Sequence, residues 1–299
     1  MHTRVLSILF SVTLAALLSP VASAQISAPG HIKSVRVTGE VFATTKATGL
    51  RTSLAENAEI AQGAVVSTGK DSSVVLVFSN GAVVSLASDT ELDVEHFTQD
   101  PFDTSFSPST AKEEPTTSST HLNLIHGELV SKVVKLNSAK GSDFLVKTPV
   151  GAAGIRGTIF RIIYRVDTST GKASFSLVTL EGRVAVTLAS GTVNARPVEV
   201  SAHKEIRVSV DVNVDANGVV TVSLPSGATT TVATNTSTST NQQVAAAADS
   251  IAQAVANVVI PVQAPAQPTS PALPAPAPAP VQPTTTIQPI NPTVVSPSR

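Results

Sequence analysis

Ser67 and Lys70 stand three residues apart, the spacing of an acylating serine and its lysine. That chemistry needs the serine at a helix start, so that the lysine three residues on shares its face. Here the pair follows one β-branched run and precedes a hairpin signal, and no Lys-Thr-Gly partner exists. Gly63 to Asp71 resembles a phosphate loop, but five residues separate its glycines where four are needed, and Asp71 replaces the hydroxyl that would hold magnesium. Asn213, Asp215, Asn217 and Gly218 open like a calcium loop, yet Leu224 stands where the bidentate glutamate belongs and the flanks read as strands. A polar hairpin tip explains that spacing better. His121 and His126 are five apart, on opposite faces of a strand, and His31, His96 and His203 are scattered. There is no Gly-x-Ser-x-Gly elbow, and the chain has no cysteine to supply a thiolate or a disulfide. The reading is a non-enzymatic chain with no catalytic residue, no cofactor site and no metal site.

The elements that would carry such residues are overwhelmingly strands. Val35-Arg36-Val37-Thr38 and Ile206-Arg207-Val208-Ser209-Val210 alternate apolar and polar side chains. Ser73 to Phe78, then Asn80-Gly81, then Ala82 to Leu86 predicts a hairpin, with Asn-Gly in a type I′ turn. A second hairpin is expected across Asp215 to Gly218. Further strands are expected at 59–66, 90–96, 122–135, 144–148, 158–166, 173–180 and 183–188. Thr98 to Thr120, rich in Pro, Ser and Thr, reads as a long surface loop open to proteolysis. The fold class is all-β: an antiparallel or solenoid-like body of short strands and hairpins with a loop insertion at 98–120.

The two ends differ from the body. Arg4, an uncharged run from Val5 to Leu18, Pro20, and Ala22-Ser23-Ala24 make a signal peptide over residues 1–24, with cleavage after Ala24. The run falls short of the roughly 20 residues a spanning helix needs; an uncleaved anchor is the alternative. Cleavage removes one of 20 basic side chains and none of 21 acidic ones, for a net charge near −2. That balance gives no electrostatic case for nucleic acid or an anionic membrane. With no Trp and Tyr164 the one tyrosine, aromatic platforms for carbohydrate are scarce. Residues 225–299 read as a disordered Pro/Ala-rich tail: a Thr/Ser/Asn tract, an Ala-rich helix within Val244 to Ile260, and a polyproline spacer at Pro271 to Pro280. The helix carries Asp249, Ser250, Gln253 and Asn257, too polar to span a bilayer.

Within the body, Val66-Ser67-Thr68-Gly69, the 73–86 hairpin, Ser88 to Val94, Phe144-Leu145-Val146-Lys147-Thr148-Pro149, Gly151 to Phe160 and Ser176 to Val186 follow in an order that resembles the FecR domain. The Thr-Pro…Arg-Gly-Thr-x-Phe segment is its most specific part. The resemblance covers about 33–210, inside a domain drawn at 31–224. It implies a protein-interaction, signalling or scaffolding module of the cell envelope, periplasmic or secreted, whose partner is an envelope protein or surface polymer. A small-molecule or glycan sensor is the alternative. In transmembrane members an anti-sigma segment and a membrane helix precede the domain; eight residues between Ala24 and Lys33 leave no room for them, so a free-standing exported protein is expected, not an integral membrane protein after cleavage. The candidate arch is Thr148, Pro149, Gly151, Gly154, Arg156, Gly157, Thr158 and Phe160. Its glycines permit backbone turns and Arg156 offers donors to unpaired carbonyls, so Arg156→Ala is expected to lower thermal stability sharply. Oligomeric state is not legible here.

Overall fold

The computed structural model describes residues 28–189, 196–214, 220–223 and 232–263. The signal segment, the 215–218 hairpin tip and the proline-rich spacer lie outside them.

The strands of the first sheet are β1 (Ala28–Pro29), β3 (Val41–Thr45), β4 (Arg51–Ser53), β5 (Ala64–Thr68), β8 (Thr90–Gln99), β10 (Asp143–Thr148), β11 (Gly151–Ile155), β14 (Arg183–Leu188) and β15 (Val198–Ser201). Those of the second are β2 (Ile32–Thr38), β6 (Ser73–Phe78), β7 (Val83–Leu86), β12 (Ile159–Asp167), β13 (Lys172–Glu181), β16 (Lys204–Val214), β17 (Val220–Ser223) and β18 (Thr234–Asn235). The long β9 (Ser118–Lys132) belongs to both. Its first half pairs β8 and β10, and its second half pairs β7 and β12. The first sheet therefore runs β4-β3-β5-β8-β9-β10-β11-β14-β15, with β1 also along β8. The second runs β2-β6-β7-β9-β12-β13-β16, with β17 and β18 on the outer side of β16. Among the described strands every ladder is antiparallel except β9 with β10, so the hydrogen-bonded network is mixed. The all-β reading holds.

Gly127 is where β9 passes from one sheet to the other. Its φ is +103°, and a Cβ there would lie 2.5 Å from Thr90 Cα and 2.7 Å from Asp89 O. No other residue both takes that backbone and leaves that space. The inner faces of both sheets share one core: Val66, Leu92, Leu122, Val146 and Val184 from the first, Leu76, Phe78, Phe160, Ile162 and Leu177 from the second. Alternation puts these side chains inside and their neighbours outside.

β6 departs from alternation because both its faces are covered. Val74, Leu76 and Phe78 enter the main core, while Val75 and Val77 join Val83, Val130, Ile251, Val255 and Ile260 in a second cluster on the outer side of that sheet. The cover is α1 (Thr238–Ala254), which buries Val244 and Ile251. It starts earlier than the Ala-rich stretch, because the Ser237 side chain accepts the Thr240 N–H at 3.2 Å and caps it inside the Thr/Ser tract.

Two local expectations change. The 73–86 hairpin forms, but Asn80 has no positive φ; Gly81 alone does, at +90°, and the Phe78 carbonyl accepts the Gly81 N–H while the Phe78 N–H donates to Ala82 O. That is a three-residue loop with Gly at the left-handed position, not a type I′ turn. Asn80 is buried instead, its amide reaching Ser118 and Thr120 of β9, which fixes the other backbone choice. The expected 98–120 loop is shorter, since Thr98–Gln99 pair with Ser118–Ser119 as the ends of β8 and β9, and its remainder is pinned: Phe102 and Gln263 exchange backbone hydrogen bonds, as do Phe106 and Ile260, and Glu114 accepts from Asn137 N and Ser118 Oγ at 2.6 Å each.

Candidate interaction surface

The eight arch residues separate into two groups. Thr148 is buried at the β10–β11 turn; its hydroxyl donates to Gly151 O at 3.0 Å and accepts the Val150 and Gly151 N–H groups. Thr158 donates to Arg183 O at 3.1 Å, and its backbone exchanges hydrogen bonds with Val133. Phe160 lies wholly in the core. Gly157, at φ +63°, presses its carbonyl against Gly182, where a Cβ would stand 2.5 Å from that oxygen. The Arg-Gly-Thr and Glu-Gly segments thus meet face to face, which leaves no room for a Cβ at Gly182, while Gly157 is suited to glycine by its positive φ.

Pro149, Gly154 and Arg156 make the second group, and they face outward. Gly151 to Ile155 is a strand between β10 and β14 rather than a turn. Gly151 is needed for close approach, since a Cβ would come within 2.4 Å of Thr187 O, whereas a Cβ on Gly154 would meet only Ala185 O at 3.8 Å. Arg156 is exposed and donates no hydrogen bond to any described residue. The threonine hydroxyls do the pinning that the arginine was expected to do. Arg156 stands between two shallow grooves. One, of about 360 Å³, is lined by Leu145, Gly154, Arg183 and Glu199; the other, of about 390 Å³, by Glu113, Lys135 and Asn137.

The outer faces of the two sheets are chemically unlike. On β6, β7 and β9 of the second sheet the outer face shows valines, and α1 covers them. Arg161 ties that cover down, with Nε 2.8 Å from Glu128 Oε1 and a hydrogen bond to Gln243 of the helix. On the first sheet the outer face is polar, and no described element covers it. Lys46 pairs with Asp93 at 2.7 Å, Lys147 with Glu95 at 2.7 Å and His126 with Glu91 at 3.6 Å. His121 Nε2 sits 2.6 Å from Asp143 Oδ2, and the His96 and His121 rings are 5.5 Å apart. The sequence put His96 and His121 far apart; the β8–β9 register brings them side by side, across a bulge between Val94 and His96 that no spacing rule announces. Among the described residues no three His, Asp or Glu side chains are grouped to hold a metal ion, and none of the described helices is long and apolar enough to cross a membrane.

Titration is perturbed at few groups. Hydrogen bonds from Ser169 and Thr170 hold the Asp167 carboxyl below its usual range at the β12–β13 turn. The hydrogen bond and charge of Lys135 do the same for Glu113, and burial raises Tyr164.

Residues 64–194, somewhat under half of the chain, match the family described as FecR protein. The match runs from β5 to just past β14, so the open face of β8 to β11 and β14 falls inside it and β2 to β4 and α1 fall outside. Two solved structures of a candidate anti-sigma factor from Parabacteroides distasonis ATCC 8503 align at 16% identity and a TM-score of 0.33 each, over 54% of this chain and 60% of theirs. This chain thus matches less than two thirds of their length, and the likeness is too slight to carry an argument. No curated protein matches the chain.

Proposed function

We propose that this is an exported, non-enzymatic FecR-domain protein that binds another envelope protein or a surface polymer, as a signalling or scaffolding module of the periplasm or cell exterior. The observation that carries the reading is the contrast between outer faces. Among the described residues, α1 covers the apolar patch of the second sheet, and an ion-paired polar face across the FecR-matched strands has no such cover. A partner there would be selected by charge complementarity with this face, which governs specificity and association rate more than affinity. Export rests on the signal-like residues 1–24 and is checked by N-terminal sequencing, which should begin at Gln25. For the binding role, a photo-crosslinking residue is placed at Leu145 or Thr187 on the open face, and at Gln242 on α1, in intact cells. One dominant product from the first two and none from the third is expected; no product from the open face sinks the reading.

A small-molecule or glycan sensor is a second reading, favoured by the groove over Gly154 with Arg156 and Arg183 at its rim. Its signature is a rise in melting temperature with an acidic sugar that Arg156→Ala abolishes.

A further inference from the structure

β4 closes one edge of the first sheet and pairs only with β3 among the described strands. Thr45 N–H donates to Leu50 O at 2.9 Å, and Leu54 N–H to Val41 O at 2.8 Å, with Ala43 opposite Thr52 between them. In an antiparallel ladder the hydrogen-bonded positions alternate, so residues 50, 52 and 54 turn their peptide groups toward β3. The N–H and C=O groups of Arg51 and Ser53 point out of the sheet, and no described group bonds to them. β2, the edge of the other sheet, is not open in this way: Ser34 N–H donates to Ala58 O and Ile60 N–H to Ile32 O, so a loop covers it.

Side chains at β4 suit pairing. All three of its residues are exposed, and Leu50 just before it is 65% exposed, a large apolar side chain left at the rim of the core that holds Leu54. Arg51, the charge that could guard the edge, is drawn back over the Phe42 ring, its Cζ 3.9 Å from the centroid.

We propose that two copies of the chain join through β4, antiparallel, about a twofold axis at Thr52. That register places Arg51 opposite Ser53 of the second copy, twice over, and completes four backbone hydrogen bonds from the outward groups. Thr52 meets Thr52, and Leu50 meets Leu54 of the second copy, so the exposed leucine is covered and the core continues across the axis. A register centred on Arg51 would set two guanidinium groups opposite each other, which is destabilising. The Thr52 register is isologous, as a twofold dimer requires. The interface is small, so the dimer is weak, with a dissociation constant between about 1 μM and about 1 mM.

Sedimentation velocity of the mature chain across that range should show a monomer–dimer equilibrium. Ser53→Pro removes an outward N–H without touching the β3 ladder and should weaken dimerisation at least roughly tenfold, about 1.4 kcal/mol. Leu50→Lys, at an exposed site, should weaken it similarly and guards against a folding failure of the proline variant. Because the chain has no cysteine, Thr52→Cys gives a direct reading: a non-hydrogen-bonded pair across the axis has the Cα spacing a disulfide accepts, so oxidation should yield covalent dimer faster than for Glu199→Cys on β15. A monomer at every concentration, equal crosslinking of the two cysteine variants, or a dimer indifferent to both Ser53→Pro and Leu50→Lys overturns the proposal.

Discussion

Arg156 and Gly182 show how far a residue's part in the fold can depart from its prominence in a motif. The guanidinium has no described partner and lies in solvent, so Arg156→Ala should change unfolding free energy by no more than about 0.5 kcal/mol. Gly182, at φ +77°, faces the Gly157 carbonyl with no room for a Cβ. Gly182→Ala should cost about 2 kcal/mol or more, from backbone strain and a clash with backbone that cannot step aside. Urea titration of the two variants side by side checks the order, and a larger loss for the arginine variant would restore the pinned arch. Asp167 supplies a pH-dependent case. Its carboxyl is held below the usual range by Ser169 and Thr170, so its contribution is present above the unfolded-state value and is lost as pH falls through the lower folded value. Asp167→Asn should flatten the acid limb of melting temperature against pH by lowering the neutral value slightly while leaving the most acidic values nearly unchanged, and an unaltered acid limb would count against the turn's part in it.

At the scale of elements, α1 ties the C-terminal stretch to the second sheet. Ile251 is about fully buried beneath it, against valines of β6, β7 and β9. Ile251→Ala should cost about 2–4 kcal/mol in docking free energy, and hydrogen exchange should show α1 and the Val258–Gln263 stretch losing protection while β12 and β13 keep theirs. Equal loss across the sheets would mean that the helix is not a separate cover. The helix also marks what sequence could and could not tell. Its existence was legible from the alanine run, and so were β6, β7, β8, β10, β12, β13 and β14, whose apolar positions follow a local rule. Its start was not, because the cap at Ser237 sits in a tract that looks like linker, and nor was its docking, because the apolar run of β6 has the same composition whether one face or two are buried. The glycines of β11 suggest a turn from sequence alone, whereas Gly151 serves close packing against β14. The candidate surface was less legible still. His96, His121 and Asp143 come from three strands, and their meeting depends on a bulge and on a parallel pairing that only the folded chain reveals.

For the whole molecule, β9 decides whether two sheets behave as one body. It hydrogen-bonds to β8 and β10 with one half and to β7 and β12 with the other, and the two sheets fill a single core from both sides. Loss of either sheet would expose the inner face of the other, at about 25 cal/mol for each Å² of apolar surface. A half-folded state, with one sheet intact and its core side in water, is therefore poorly populated, and the described body should unfold in one cooperative step. The chain offers a clean pair of probes. Tyr164, its one tyrosine in the absence of tryptophan, is buried in β12 of the second sheet and reports that sheet by fluorescence. Far-ultraviolet circular dichroism reports the strands of both. The two curves should share one midpoint and one slope in urea, and Gly127→Ala, which forces a Cβ into Thr90 at the crossing, should move both midpoints down together. A dichroism transition that persists after the tyrosine signal is complete would show that the first sheet stands alone, and that β9 is a tether between two bodies rather than a shared strand.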